Sequence, residues 1–161
     1  MRNEVPPPLD QHHRELARAG AAALQRHYQE VIDITSEMLT SGIYDELARQ
    51  DVEAARRARA ETRLMMATAM HYNDAHYEDI VRVLMSALDS PPDIQKDAHF
   101  TLAVVHLSFE HLADAAASMR QALDLIEALR RSGHADPRLV EQEQEAREFF
   151  QQIAEVDGAD A

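Results

Sequence analysis

HYNDAHYEDIVRVLMSALD, residues 71–89, returns 35 residues later (71 to 106) as HLSFEHLADAAASMRQALD, residues 106–124. Two histidines, an aspartate and the run Ala-Leu-Asp coincide in the two segments, and several other positions pair one apolar residue with another. A period in the mid-thirties is typical of stacked helical hairpins. Because neither segment contains glycine or proline, and both are rich in helix formers, the repeat predicts two antiparallel helices in each unit.

The apolar spacing predicts further helices on both sides of this repeat. Towards the N-terminus, one long helix is expected from about residue 11 to residue 40, capped by Asp10 and ended by Gly42, which suits the left-handed conformation. A second helix is expected to begin near Tyr44, followed by a polar segment at 48–63. Later helices are expected at 64–72, 77–88, 94–109 and 112–131. The last is expected to begin at Pro137 behind the capping Asp136 and to run to about Glu155.

The repeat resembles the tetratricopeptide repeat family, whose unit of 34 residues forms a helix–turn–helix. Counting from Lys96, a third unit matches that family at positions 7, 8, 20, 24 and 27, with Leu102, Ala103, Ala115, Met119 and Ala122. Counting from Glu61, a second unit matches with Leu64, Ala87 and Pro92. A fainter first unit starts at Tyr28 and matches with Val31, Ile34, Gly42, Tyr44, Leu47 and Ala54. His71 and His106 stand where the family has an aromatic residue.

The resemblance implies one all-α domain over residues 10–156. This would be a TPR-like superhelix of about three hairpins with a long N-terminal helix and a C-terminal capping helix. The units are expected at about 28–60, 61–95 and 96–130, and the cap at 137–155. Stacking is required because a single hairpin cannot bury its own apolar face. Residues 1–9 are expected to form a disordered arm, and residues 157–161 a frayed tail.

Composition and charge argue against several classes of protein. The net charge of −13 disfavours nucleic acid and anionic membranes as partners, because both require a cationic surface. The sequence contains no cysteine, which excludes disulfides, thiolate metal sites and a cysteine nucleophile. No stretch approaches the roughly 20 apolar residues that span a bilayer, and the first ten residues lack the apolar core of a signal peptide. The expectation is a cytoplasmic protein.

Nine histidines raise the question of a metal site. Histidine ligands on a helix are normally spaced i, i+4, or occur as Glu-x-x-His, and the sequence contains neither pattern. The serines lack the context of a nucleophile elbow, and no glycine-rich phosphate loop is present. The sequence therefore predicts no enzyme, no metal and no cofactor.

The resemblance also implies a ligand surface, because certain first-helix positions of each unit line a concave face. The pair that clamps a peptide carboxylate in some members needs Lys and Asn, and here those positions hold Ile32 and Ser36, Met65 and Ala69, or Phe100 and Val104. The face is instead apolar and suits an amphipathic helix or an apolar peptide. Its predicted contact residues are Ile32, Leu39, Met65, Ala69, Tyr72, Phe100, Val104 and Leu107.

Three functions remain open at this level. The leading prediction is a protein–protein interaction module, an adaptor, regulator or chaperone-like protein that holds an apolar segment of a partner. The first alternative is a homodimeric structural protein whose groove is filled by its own first helix or by a second subunit. A small-molecule- or metal-binding helical bundle is the third.

Overall fold

The computed structural model describes residues 5–159 and folds them into eight α-helices, with no β-strand in that range. The all-α prediction is therefore confirmed. Among the helices described, none is both long and apolar enough to cross a membrane. In chain order the helices are α1 (Pro7–Leu24), α2 (Tyr28–Thr40), α3 (Ile43–Gln50), α4 (Val52–Tyr72), α5 (Tyr77–Ala87), α6 (Pro92–Ser108), α7 (Leu112–Arg131) and α8 (Leu139–Ala159).

The helices belong to two compact units that meet in sequence at Ser90 and Pro91. The first unit contains α1 to α5, and the second contains α6 to α8. Pro91 is extended, with φ −61° and ψ 157°, and Pro92 opens α6. A proline disfavours helix in the residue before it but suits a first helical turn, so the Pro91-Pro92 pair keeps Ser90 and Pro91 out of a helix and starts α6.

A single helix over residues 11–40 does not form, because the chain reverses at residues 25–27. Arg26 is left-handed, with φ +60°, and the N–H of His27 donates to the carbonyl of Ala22 (2.9 Å). This bond closes the end of α1 in the manner of a Schellman motif. The predicted long N-terminal helix is wrong, and the α1–α2 hairpin takes its place. Helix α1 begins at Pro7, so residues 7–9 of the predicted arm are helical, whereas residues 1–4 lie outside the described part.

Gly42 separates α2 from α3 in a left-handed conformation, with φ +84°, as the sequence predicts. Beyond it, α3 continues in the direction of α2 along α4. The Tyr28 ring stacks on Tyr72 at the C-terminal end of α4 (5.2 Å between centroids), and the Tyr44 hydroxyl reaches Thr62 near its middle. Helices α2 and α3 are therefore two successive segments of one antiparallel partner of α4.

The chain reverses again at Asp51, where α3 gives way to α4. Asp51 is extended, with φ −154° and ψ 101°, and its carboxylate accepts the N–H of Ala54 (3.1 Å), which caps α4. Helix α2 packs against α1 and α4 and only slightly against α3. Residues 28–60 therefore contain α2, α3 and the start of α4. They do not form the single helical hairpin that the repeat pattern predicts for this range.

The helices that follow the tight turns start at equivalent histidines. His27, His76 and His111 are the N-cap residues of α2, α5 and α7. In each helix the positions 4, 8 and 11 residues after that histidine are buried: Val31, Thr35 and Met38; Ile80, Leu84 and Ala87; Ala115, Met119 and Ala122. The repeated unit is therefore a hairpin whose second helix is α2, α5 or α7.

The second unit consists of the α6–α7 hairpin with α8 packed on α7. Ala103, Ala115 and Ala122, which the repeat pattern requires to be small, are fully buried. Small side chains at these positions let two helices approach closely. Phe149 and Ala146 of α8 complete this core, and α8 extends to Ala159, so residues 157–159 of the predicted tail are helical; residues 160–161 lie outside the description.

We expect glycine at two turn positions to stabilise the protein. Arg26 and Glu110 are both left-handed, with φ +60° and +63°, a conformation that costs a non-glycine residue roughly 1–2 kcal/mol. Glycine removes that cost but gains freedom in the unfolded chain, so Arg26→Gly and Glu110→Gly should each raise the free energy of unfolding by about 0.5 kcal/mol. Urea denaturation measures this.

Ala117→Gly is the matched control, since Ala117 is exposed inside α7. Glycine at an ordinary helical position should lower the free energy of unfolding by about 1 kcal/mol. A loss of similar size in Glu110→Gly would contradict the strain that we assign to the turn.

Candidate binding surface

Helices α2 and α4 carry all the predicted contact residues of the first unit and pack against each other along a seam. We define it by three contacts along the two antiparallel helices. The rings of Tyr28 and Tyr72 stack at one end, where Asn73 Nδ2 also donates to Gln29 Oε1 (3.1 Å). Further along, the Ser36 hydroxyl lies 3.5 Å from the sulfur of Met66. The seam thus has an aromatic end and a methionine-lined middle.

The predicted residues of this unit differ in exposure. Ala69 is buried in the core, whereas Ile32, Leu39 and Met65 pack against that core and are only partly buried. Tyr72 is 62% exposed. An exposed tyrosine held against a second aromatic ring is a preformed contact point, because little rotamer freedom remains to be lost on binding.

The predicted residues of the second unit all lie on α6. Phe100 and Leu107 pack against the core of α6, α7 and α8 and are partly buried. Val104 is 37% exposed and therefore borders solvent. The sequence prediction places these α6 residues and those of α2 and α4 in one groove. In the structure, the α6 residues belong to the second unit and the α2 and α4 residues to the first.

A buried polar triad, His12, Tyr44 and Thr62, joins α1, α3 and α4 inside the first unit. All three residues are at most 2% exposed. His12 Nδ1 lies 3.0 Å from the Tyr44 hydroxyl, which contacts the Thr62 hydroxyl. Sequence reasoning placed Tyr44 at a repeat position but missed the triad, because helical periodicity does not reveal which polar groups meet in a core.

The hydroxyls of the triad have several partners within hydrogen-bond distance. Thr62 Oγ1 donates to the carbonyl of Ala58 (3.0 Å) and lies 3.5 Å from His12 Nδ1. The Tyr44 hydroxyl lies between Thr62 Oγ1 and His12 Nδ1, and a hydroxyl can donate to one such partner and accept from the other. The other ring nitrogen, Nε2, is buried without a hydrogen bond among the described residues, 3.8 Å from a carboxylate oxygen of Glu61.

Burial dominates the titration of Tyr44. It raises the pKa of the phenol to about 12, because an ionised phenolate would lose its hydration. The hydrogen bond with Thr62 and the positive charges of Arg59 and Arg63 oppose this rise in pKa, while the negative charge of Glu61 adds to it. The guanidinium of Arg59 lies 5.8 Å from the centre of the ring. Tyr44 is thus a neutral hydrogen-bonding group at physiological pH.

A second polar cluster lies in the other unit and contains the only lysine of the sequence. Lys96 of α6 is 1% exposed, and its ammonium donates to Asp97 Oδ1 (2.8 Å). The side-chain amide of Gln142, on α8, donates to the same oxygen (3.1 Å). Asp97 therefore links α6 to α8 through its hydrogen bond with Gln142, while its ion pair with the buried Lys96 stays within α6.

The structure also shows where the histidines lie. The rings of His106 and His111 approach to 6.4 Å between centroids across the α6–α7 turn. Burial lowers the pKa of His106, with a smaller lowering from His111 and an opposing effect of Asp114. Within residues 5–159, no group of three or more His, Cys, Asp or Glu side chains is arranged to hold a metal ion.

The sequence contains a signal that the start of α2 is equivalent to the start of α5. HYQEV at 27–31 resembles HYEDI at 76–80, and the histidine of each is an N-cap. The spacing between these two segments is 49 residues (27 to 76), because α3 lengthens the first hairpin, so a search at a constant period misses it.

Comparison with family models, with curated proteins and with solved structures gives no match for this chain.

Proposed function

We propose that this chain is a protein–protein interaction module that holds an apolar segment of a partner, with the α2–α4 seam as its primary contact surface. The observation that carries the proposal is Tyr72, which is 62% exposed yet stacked on Tyr28. Ile32 and Met65, on the same two helices, are partly buried against the core of the first unit. Tyrosine anchors and adaptable methionines are typical of surfaces that bind helices and peptides.

We also propose that the chain is a divergent tetratricopeptide-like protein whose hairpins are α1 with α2–α3, α4 with α5, and α6 with α7. The N-cap histidines and the buried positions that follow them support this assignment. In this arrangement α2 is the second helix of its hairpin. Ile32 and Leu39 would therefore not line the concave face to which the sequence pattern assigned them. Met65 and Tyr72, on α4, would keep that place.

Replacing Tyr72 with alanine should weaken peptide binding about tenfold, which is the size of effect that an aromatic anchor gives on truncation. The probe is a fluorescent amphipathic helix of 18 residues, built from Leu and Gln so that it carries no side-chain charge. Fluorescence anisotropy compares its affinity for the wild-type chain and for Tyr72→Ala.

Val140→Ala serves as the control, because Val140 is an exposed apolar residue of α8 (63%) outside the seam. Equal affinity for the wild type and Tyr72→Ala would refute the assignment of the seam. Sedimentation of the free chain completes the test. If the free chain is a dimer and Tyr72→Ala dissociates it, the same residues mediate self-association, and the peptide-binding proposal is refuted.

A further inference from the structure

Three arginines form a row along α4. Arg56, Arg59 and Arg63 are spaced i, i+3, i+7, so they share one face of the helix, and all three are partly buried. The row lies between α3 and α5, because Arg59 pairs with Asp45 of α3 (3.1 Å) and Arg63 Nη1 donates to the carbonyl of Ser86 on α5 (3.4 Å). We call these three residues the arginine row.

The three guanidiniums of the row differ in how their charge is balanced. Arg56 contacts two carboxylates, those of Asp89 (2.7 Å) and Glu53 (3.2 Å). Arg59 has one, on α3, whose side chain is 82% exposed. Arg63 forms no ion pair among the residues that the structure describes, and the backbone carbonyl that it contacts carries no net charge. Arg59 and Arg63 together therefore have two positive charges and one carboxylate.

The guanidiniums of Arg59 and Arg63 also act on each other. Burial lowers the pKa of the Arg63 side chain and the positive charge of Arg59 lowers it further, whereas Asp89 and Tyr44 oppose the lowering. An anion between the two guanidiniums would replace this repulsion with attraction to both. Their N–H groups form planar forks, which match the paired oxygens of a carboxylate or a phosphate.

We propose that Arg59 and Arg63 form a binding site for an oxyanion, a group with the forked oxygens of a carboxylate or a phosphate. The pair has one positive charge in excess, so one such group supplies the missing negative charge. Salt screens charges beyond about 10 Å, so a local cationic site can bind an anion despite the net charge of −13. The site is separate from the seam, because Tyr72 lies nine residues after Arg63 (63 to 72) and is rotated from it by about 180° on α4.

Nuclear magnetic resonance of the arginine Nε–H groups tests the site, with inorganic phosphate and acetate as the two probes at constant ionic strength. The resonances of Arg59 and Arg63 should shift and saturate as a probe is added. The resonance of Arg131, an exposed arginine at the end of α7, should shift much less. The probe that binds more tightly identifies the oxyanion as a phosphate or a carboxylate.

Arg63→Gln should weaken binding of the tighter probe about fivefold, measured at the Arg59 resonance, because a solvent-accessible charge pair is of modest strength. Arg59→Gln, measured at the Arg63 resonance, should have a similar effect, and it tests the site independently if Arg63→Gln does not fold. Tyr72→Ala should leave the binding of both probes unchanged, so this site and the proposed function can fail separately.

Arg56→Gln is the matched control, because Arg56 belongs to the same row and already contacts two carboxylates. It makes the same change in net charge and should alter the affinity less than twofold. Equal losses in Arg63→Gln and Arg56→Gln would overturn the site, because general attraction to the row would then explain the binding. Shifts at Arg131 as large as those at Arg59 would overturn it as well.

Discussion

Replacing Asp97 with asparagine should lower the free energy of unfolding by about 3 kcal/mol, the largest single effect that we expect in this protein. Lys96 is 1% exposed, and its ammonium donates to Asp97 (2.8 Å). Removing one partner of a buried ion pair leaves an uncompensated charge in the core, which costs about 3–5 kcal/mol. The lower end applies here because the Asp97 side chain retains 27% exposure.

The reciprocal variant should behave differently. Lys96→Met removes the buried charge itself and keeps most of the side-chain volume, so its effect should be close to neutral. The double variant Lys96→Met/Asp97→Asn should recover most of the stability that Asp97→Asn loses. Urea denaturation of the three variants gives the coupling between the two positions.

Asp124→Asn is the control, since Asp124 is an exposed carboxylate of α7. It should change the free energy of unfolding by less than about 0.5 kcal/mol. If Asp97→Asn is as mild as Asp124→Asn, the Lys96–Asp97 ion pair does not contribute the stability that we assign to it.

The second large effect concerns pH. Burial raises the pKa of Tyr44 from 10.0 to about 12 in the folded chain. Between these values the folded state retains a proton that the unfolded state releases, so the free energy of unfolding falls as the pH rises. Stability from this group is complete below pH 10 and declines up to about pH 12. A shift of about two pKa units corresponds to a loss on the order of 2–3 kcal/mol.

Tyr44→Phe isolates this contribution. The variant should be less stable than the wild type at pH 7 by about 1–3 kcal/mol, because His12 and Thr62 lose a buried hydrogen-bonding partner. From pH 10 to 12, however, it should lose less stability than the wild type, and the two curves should converge. Tyr72→Phe, at an exposed ring outside the triad, is the matched control for removing a phenol hydroxyl. Parallel curves for the wild type and Tyr44→Phe would contradict the burial of this phenol.

Local sequence patterns predicted several elements correctly. The expected bounds of α7, 112–131, match the structure, and α5 ends within one residue of its expected position. Gly42 adopts the predicted left-handed conformation. Each of these features depends on neighbours in the chain, such as a run of helix formers or a residue without a Cβ, so the sequence alone contains the relevant physics.

The polar segment at 48–63 shows where that physics is insufficient. Only Val52 is large and apolar there, and the helical pattern is faint, yet Asp51 caps a continuous helix from Val52 to Tyr72. Ala55, Ala58 and Ala60 are buried in it. Alanine is a strong helix former but a weak marker of a buried face, because its small side chain is tolerated both inside and outside a core.

The repeat HYNDAHYEDIVRVLMSALD and its copy by themselves determined that this protein is helical and that its turns recur before equivalent histidines. The tertiary structure alone decided that α2 pairs with α1 and α4, and that His12, Tyr44 and Lys96 are buried. The physical reason is distance along the chain. Helix propensity and capping act over a few residues, whereas the partner of a buried polar group can lie far away, as Thr62 lies 50 residues from His12.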